Sequence, residues 1–281
     1  MASTAPLAAD TPSGRLGPGR RRPTTTSERV AAVAAHHLLV ARRTWKGSVV
    51  GRFLSPLFFL LAMGLGLGAL VDERAGGVDG LPYLRFVVPG IIAMQAMTTA
   101  FGESTYAVMG YVKWNQMYSA MLSTPLRVRE VLLGHLLVVA GQLAFASCAF
   151  VLVAAPFGAF GSPWVVLAVP VAVLTGMAFA VPMFALAARL DTDSGFSIVF
   201  RFVMTPLMLF SGTFFPVEQL PAWMQPAAWV TPLWHGVVLC REASEGVAPG
   251  WATSGHVGVL VLYVAVGWVL ARRGLARRLL P

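Results

Sequence analysis

Two ionisable side chains lie inside long apolar segments of this chain, where a charged group is by default a functional candidate. They are Glu103 and His135. Both fall within about two helical turns of the end of their segment, where water and basic partners are within reach. Glu103 is therefore open to two interpretations, a structural pairing with the Lys113 region or a role in transport. For His135 the structural interpretation is favoured.

A second pair of carboxylates is found in the stretch RLDTDSGF, as Asp191 and Asp193. Two carboxylates close together suggest metal ligands. In a short polar loop they are more often a solvated turn and a helix cap. We therefore expect no metal site here, and no metal or cofactor in this chain.

The known catalytic motifs are missing from the sequence. A Walker A loop needs a Gly-Lys-Ser or Gly-Lys-Thr step, but the only lysines, Lys46 and Lys113, follow Trp45 and Val112. The five histidines form no H-E-x-x-H motif, and there is no G-x-S-x-G nucleophile elbow. The sequence thus excludes a P-loop ATPase and gives little support to an enzyme.

The elements that carry these residues are membrane helices. The chain of 281 residues is 57% hydrophobic and only 12% charged, with a mean hydropathy of +0.70. Soluble domains have about 25% charged residues. Apolar windows long enough to cross a bilayer predict an all-α membrane protein with six spans, near residues 50–71, 86–110, 131–155, 164–187, 196–215 and 255–273.

The basic residues predict the orientation, because Lys and Arg accumulate in short cytoplasmic loops. With the N-terminus inside, the outer side holds only Arg74, Arg85 and Arg241 of the 21 basic residues. Both termini are therefore expected in the cytoplasm of a multi-pass inner-membrane protein. The basic residues follow membrane ends without an aromatic platform, which favours contact with anionic lipid over nucleic acid.

The N-terminal region is divided into two parts. Residues 1–24 carry too little apolar surface to fold and are predicted to be a disordered cytoplasmic tail. Thr25 and Glu28 form a capping-box pattern that opens an amphipathic helix over residues 25–48, with Arg29, His36 and Arg43 repeating on one face. Such a helix suits the membrane interface. The transmembrane domain then comprises residues 49–281.

The stretch KWNQMYSAMLSTPLRVRE, residues 113–130, is polar and basic yet lies between two predicted spans. As one helix it places Trp114, Met117, Tyr118 and Met121 on a single apolar face. Pro125 disfavours helical geometry at Thr124 and should end the helix. The residues alone leave two interpretations. The segment is either an interfacial helix that anchors a loop or a cytoplasmic helix that transmits force from a partner to the membrane helices.

A further apolar stretch, residues 216–240, is interrupted by Pro216, Pro221, Pro226 and Pro232, so no continuous span can form there. Its tryptophans favour an interface. We expect short re-entrant or interfacial helices on the outer face.

Four passages in order make the chain resemble the ABC-2 family of export permeases: VVPGIIAMQAMTTAFGESTYAVMGY, YSAMLSTPLRVREVLLGHL, TPLMLFSGTFFPVEQLP and TPLWHGVVLCR. Within the family it resembles the nodulation-factor and lipo-oligosaccharide branch, with daunorubicin-resistance permeases nearby. The resemblance implies a type V exporter fold. It also implies a dimer, with either a second copy of this chain or a paralogous permease, and two separate ATPase subunits that carry the ATP and Mg.

The resemblance also assigns roles to residues. It implies that residues 113–127 are a coupling helix touching the ATPase, and that the helix with Arg29, His36 and Arg43 is a connecting helix that does the same. The coupling residues are Lys113, Trp114, Met117, Tyr118, Met121, Leu122, Thr124, Pro125 and Arg127. The outer exit gate would comprise Phe214, Phe215, Pro216, Leu220 and Pro221.

The expected function is outward transport of a drug, lipid, glycolipid or oligosaccharide. The alternative is an ion-coupled secondary transporter or channel that works alone. That class needs ionisable groups near the bilayer midplane, and none of the six predicted spans clearly places one there.

Overall fold

The computed structural model describes residues 25–279, with side chains at all of these positions except 40–52, 55, 56, 64 and 65. The described residues form helices joined by short loops, with a single isolated β-bridge between Val78 and Leu81. The all-α class is therefore confirmed for this part of the chain. The tail predicted over residues 1–24 lies outside the described residues.

The α-helices are, in chain order, α1 (Thr26–Leu60), α2 (Ala69–Ala75), α3 (Tyr83–Ser104), α4 (Tyr106–Met109), α5 (Met117–Leu122), α6 (Val128–Ala154), α7 (Ala168–Ala187), α8 (Ser194–Val199), α9 (Thr205–Phe210), α10 (Gln225–Val230), α11 (Pro232–Glu245) and α12 (Trp251–Leu279). Segments of π-helix cover Leu61–Gly68, Gly110–Trp114 and Phe200–Met204. Short 3₁₀ turns cover Ala155–Phe157, Pro163–Leu167 and Val217–Gln219.

The first helix differs from the expectation of a separate interfacial helix followed by a span. The predicted capping box is present, because the Glu28 amide donates to Thr25 Oγ1 at 3.3 Å and the Thr25 amide donates to Glu28 Oε2 at 2.9 Å. From there α1 runs to Leu60 and continues through the π-helical segment into α2. No proline lies near residue 48 that would end one helix and separate it from the next.

Four helical segments in the described part of the chain are long and apolar enough to cross a membrane: Tyr83–Trp114, Val128–Phe157, Pro163–Ala187 and Trp251–Leu279. They correspond to predicted spans two, three, four and six. The fifth predicted span, 196–215, appears as the shorter apolar helix Ser194–Phe210. The first, 50–71, includes residues whose side chains are not described, so these two spans remain predictions.

Helix α7 lies at the centre and packs against α3, α6, α11 and α12. Small residues permit the close approach that membrane helices use. A Cβ at Gly236 of α11 would lie 2.4 Å from Thr175 Oγ1 of α7, and one at Gly176 would lie 2.6 Å from Leu143 Cδ1 of α6. Any larger residue at these two positions would force the helices apart.

Charged residues gather at both ends of this bundle. At one end, named here the basic end, Lys113 Nζ donates to the main-chain carbonyl of Asp191, and Arg278 Nη2 lies 2.9 Å from Asp191 Oδ1. At the opposite end, Arg85 Nη2 of α3 lies 2.7 Å from Glu245 Oε2 of α11. Helices α3, α6 and α7 connect these two ends.

Candidate coupling site at the basic end

Helix α5 is separated from the helix before it by a sharp turn. The π-helical segment ends at Trp114, and Gln116 takes a left-handed conformation with φ of 47°. A non-glycine residue seldom adopts that conformation, so the expectation of one helix through residues 113–124 is wrong at this point. Helix α5 ends at Leu122, where the Thr124 hydroxyl donates to the Met121 carbonyl and Pro125 follows.

Tyr118 fastens α5 to the membrane helices. Its side chain is completely buried, and its hydroxyl oxygen lies 2.8 Å from His135 Nδ1 in α6. His135 Nε2 lies 3.3 Å from the Glu103 carbonyl of α3. Because a carbonyl can only accept, Nε2 carries the proton of a neutral imidazole and the Tyr118 hydroxyl donates to Nδ1. The pKa of Tyr118 is raised well above its usual value, first by burial and then by Tyr111.

Five rings form an aromatic cluster around this hydrogen bond: His37, Tyr111, Tyr118, His135 and Phe184. His37 lies 4.8 Å from His135 and 4.9 Å from Tyr111 between ring centroids, both edge to face. The ring of Phe184 is stacked on Tyr118 at 6.2 Å. Edge and offset contacts at such distances are favourable. The aromatic cluster therefore connects α5 with α1, α6, α7 and the π-helical segment after α4.

His37 is the member of the cluster that α1 contributes. It is 5% exposed. Its pKa is lowered to about 4, chiefly by burial and secondly by the neighbouring His36. At neutral pH His37 is consequently uncharged, which suits a site built from aromatic contacts.

The surface that α5 leaves outside is small and polar. Ser119, Ala120 and Ser123 are exposed, whereas Met117 and Met121 are half-buried. Leu122 is also half-buried, and Thr124, Pro125 and Arg127 are exposed. The side chain of Tyr118 faces the core because it is fully buried, and its role in coupling remains a prediction. The predicted apolar face points mainly into the protein.

Trp114 is separated from that face by the turn at Gln116. Its side chain is 63% exposed, a large amount for an indole. The exposed outward face, defined here as Trp114, Ser119, Ala120, Ser123 and Thr124, therefore combines one tryptophan with small polar residues. Small side chains allow another protein to approach closely, and tryptophan is a frequent anchor in interfaces.

The N-terminal part of α1 packs along the start of α6 and does not lie apart from it. Arg29 Nη1 lies 3.5 Å from Glu130 Oε1, and Glu130 is fully buried. Val33 approaches Gly134, where an added Cβ would lie 2.5 Å from Val33 Cγ1. His36 is half-buried beside His37. The side chain of Arg43 lies outside the described residues.

Glu103 is half-buried near the end of α3, and its main-chain carbonyl accepts the hydrogen bond from His135. The candidate residue is therefore linked through its backbone to the aromatic cluster. Asp191 uses its carboxylate with Arg278. Among the described side chains, no group of three or more His, Cys, Asp or Glu residues is placed to hold a metal ion.

The residues predicted to form the outer gate lie at the opposite end. Phe214 packs on the main core, whereas Phe215 packs on a small cluster of Val217, Leu220 and Ala228. Pro216 is buried and Pro221 is exposed. The prolines begin short helices, with Pro226 in the first turn of α10 and Pro232 in the first turn of α11. Helical segments thus occupy part of residues 216–240, and outer re-entrant helices remain a prediction.

Arg241 holds this region to the rest of the protein. Its guanidinium donates to the Phe86 carbonyl at 3.2 Å and to the Gly212 carbonyl at 2.9 Å. It also lies over the Phe86 ring, 3.9 Å from the centroid, in a cation–π contact.

Sequence reasoning missed His37, Tyr111, Glu130 and Arg241 as parts of these two sites. On the first helix Val33 and His37 are buried, whereas the apolar Leu38 is 56% exposed. A usable signal was the position of His37 four residues after Val33, which places them on one helical face. The contacts of Arg241 join distant segments and leave no local pattern.

Comparison with known proteins agrees with this architecture. The family model described as ABC-2 type transporter matches residues 28–243. The chain is 35% identical over 251 residues to nodulation protein J of Rhizobium leguminosarum bv. trifolii, covering 89% of this chain and 93% of that protein. It is 32% identical to nodulation protein J of Rhizobium meliloti, covering 89% and 94%.

A more distant relative has a different name. The inner membrane transport permease YadH of Escherichia coli K12 is 26% identical over 242 residues, covering 83% of this chain and 90% of that protein. The family match covers most of the chain, and the resemblance inferred from the sequence motifs is confirmed. This chain belongs to the ABC-2 family of transporter permeases.

Proposed function

We propose that this chain is the membrane subunit of an ATP-driven exporter in the bacterial cytoplasmic membrane, with its basic end and both termini in the cytoplasm. The excess of Lys and Arg at the basic end supports this orientation. The description of YadH as an inner membrane permease supports the location. Two copies of the chain form the pathway together.

A separate cytoplasmic ATPase docks on the exposed outward face of α5. The observation that carries this proposal is the contrast between the buried Tyr118 and the exposed residues on the other side of the same short helix. A helix anchored by one buried side chain can receive a contact and move as a unit. Two ATPase subunits supply the ATP and Mg, since the chain has no Walker A loop of its own.

Movement of α5 reaches the membrane helices through the aromatic cluster. A displacement of Tyr118 acts on His135 in α6 through the hydrogen bond and on Phe184 in α7 through ring contact. Tyr111 and His37 extend the path to the end of the second span and to α1. Closely packed rings transmit displacement because interiors do not compress easily.

Glu103 takes part in the mechanism through its position beside this cluster. A Glu103→Gln exchange removes the charge and keeps the main-chain carbonyl that holds His135. We expect assembly to be normal and ATP-driven transport to decrease several-fold. Normal transport by Glu103→Gln would remove this residue from the mechanism.

The cargo contains an apolar part. A cavity of about 470 Å³ lies between the fifth predicted span and α10, and is lined mainly by apolar side chains that include Phe202, Leu207, Phe210, Trp223 and Met224. Such a lining suits an alkyl chain or an aromatic ring. This supports a drug, lipid, glycolipid or acylated oligosaccharide that leaves past the outer helices, where Phe214, Phe215 and Pro216 form the gate.

The proposal is tested by co-expressing the chain with the ATPase encoded beside it. Ala120→Glu places a charge on the exposed outward face of α5 without filling a buried site. We expect loss of co-purifying ATPase and of permease-stimulated ATP hydrolysis, with a normal elution profile of the permease alone. The matched control is Ala75→Glu, an exposed alanine at the opposite end. Unchanged assembly of Ala120→Glu would contradict docking on α5, and transport by the purified permease without any ATPase would favour a secondary transporter.

A further inference from the structure

A groove lies at the basic end between the start of α6 and the last turns of α12. Its volume is about 560 Å³, and its walls include four arginines and the apolar residues Leu122 and Leu126. Arg127 and Arg129 come from one wall, and Arg272 and Arg273 from the other. Two chain segments far apart in sequence thus bring four guanidinium groups to one place.

The charge of this groove is not balanced by the protein. Among the described side chains, the ion pairs use Arg29, Arg85 and Arg278, and none includes an arginine of the groove. All four side chains are exposed, and no acidic residue lines the groove. The site therefore offers a strongly positive surface to an anion. Guanidinium groups bind phosphate oxygens particularly well, often through two parallel hydrogen bonds.

The same groove is continuous with apolar helix surfaces. Leu133 and Leu137 follow Arg129 by four and eight residues on α6, and they are 40% and 57% exposed. On α12, Val269 and Val266 precede Arg273 by four and seven residues and are 38% and 51% exposed. Residues at these spacings share a helical face. Each wall thus changes from guanidinium to exposed aliphatic side chains in the direction of the membrane.

We propose that this groove binds an anionic phospholipid, with the phosphate among the four arginines and the acyl chains along α6 and α12. Charge complementarity selects the anionic headgroup. The aliphatic faces select a lipid over an acidic peptide or a free phosphate, because both faces belong to helices that are long and apolar enough to cross a membrane. The site is independent of the proposed ATPase and does not require it.

Occupancy of the groove also acts on α5. Leu122 is the last residue of α5 and lines the groove, and Leu126 packs on the core next to it. A bound lipid fills the space on one side of the coupling segment and restricts its movement.

The test compares retention of two lipids by the purified permease. The protein is placed in mixed micelles of phosphatidylglycerol and phosphatidylcholine, and bound lipid is counted by native mass spectrometry. We expect selective retention of phosphatidylglycerol, about tenfold weaker in Arg272→Gln/Arg273→Gln and also weaker in Arg129→Gln on the other wall. The charge-matched control, Arg74→Gln/Arg201→Gln, removes two exposed arginines outside the groove and should retain lipid as the wild type does.

A second measurement uses the unmodified protein, so that a folding defect in a variant does not decide the result. Phosphatidylglycerol should raise the unfolding temperature of the wild type in phosphatidylcholine micelles, and excess inorganic phosphate should not. Equal retention of phosphatidylglycerol by the groove variant and the control would overturn the proposal. Stabilisation by inorganic phosphate equal to that by the lipid would overturn it as well, since the acyl chains would then contribute nothing.

Discussion

Helix α5 at the basic end and the helices of the opposite end of this permease are held in place by different chemistry. At the basic end, α5 is held by a neutral hydrogen bond between Tyr118 and His135 and by ring contacts. At the opposite end, Arg85 pairs with Glu245 and Arg241 donates to two main-chain carbonyls. A neutral hydrogen bond contributes about 0.5–1.5 kcal/mol and one to a charged group about 1.5–3 kcal/mol.

The difference suits the two ends to different tasks. Contacts that are individually weak and made by packed rings can rearrange when a partner pushes on α5. The charged contacts at the opposite end fix α3, α11 and the loop after Phe210 to one another. Helix α5 is thus suited to receive movement, and the opposite end to hold its helices together.

The largest effect is expected from removing the Arg241 guanidinium. Arg241→Leu leaves the carbonyls of Phe86 and Gly212 without this donor and removes the contact with the Phe86 ring. We expect the free energy of unfolding to fall by about 2–5 kcal/mol. The unfolding temperature should fall with it, as measured by size-exclusion chromatography of samples heated to a series of temperatures. Arg74→Leu, at an exposed arginine of the same end, is the control. Equal unfolding temperatures for both variants would show that Arg241 does not hold the region.

A smaller effect is expected at the Arg85–Glu245 pair, whose side chains are 29% and 17% exposed. Either single reversal, Arg85→Glu or Glu245→Arg, places like charges together and should cost about 1–2 kcal/mol after solvent screening. The double reversal should recover at least half of that loss in the same thermal assay. Additive losses in the double variant would mean that the two charges do not interact.

Loss of the Tyr118 hydroxyl should cost less again. Tyr118→Phe keeps the buried ring and removes one neutral hydrogen bond, for a cost of about 1 kcal/mol. Tyr106→Phe is the matched control, because Tyr106 is 43% exposed and should lose almost nothing. If the two exchanges had the same effect on the unfolding temperature, the hydrogen bond to His135 would contribute no stability.

The smallest effect is a pH dependence from His37. Its pKa in the folded protein is about 4, below the value of about 6.5 in an unfolded chain. As the pH falls, the unfolded chain therefore takes up the proton first. The stability that neutral His37 gives the folded protein is present in full above pH 6.5 and decreases as the pH falls towards 4. We expect a loss of under about 1 kcal/mol between pH 7.5 and 5.5. The loss of unfolding free energy should be smaller in His37→Gln. If that variant and the wild type lost the same stability over this pH range, His37 would not be the cause.

The sequence predicted the membrane character and the position of α5 from patterns that act locally. Apolar runs follow from the thickness of the bilayer, and the Thr25–Glu28 capping box depends on residues three apart. The proline at 125 limited where α5 could continue. These features need no knowledge of tertiary contacts.

Tertiary contacts decided what the sequence left open. Periodicity predicted an apolar face for α5, and the resemblance implied a partner for it, but neither indicated that the Tyr118 side chain is buried in the core. The turn at Gln116 has no strong sequence signal, since neither glycine nor asparagine occupies that position. The buried histidines could not be placed, because the neighbours of His37 and His135 lie about 50 to 100 residues away in sequence.

The central claim is that movement enters the membrane helices through Tyr118. It is tested most directly by spin labels at Val247→Cys, an exposed site at the opposite end, in a Cys148→Ser background of the complex with its ATPase. Pulsed electron paramagnetic resonance spectroscopy then measures the distance between the spin labels of the two copies with and without ATP. We expect ATP to change this distance in the wild type and in Tyr106→Phe, and to change it much less in Tyr118→Phe. An equal ATP-dependent change in Tyr118→Phe would contradict transmission through Tyr118.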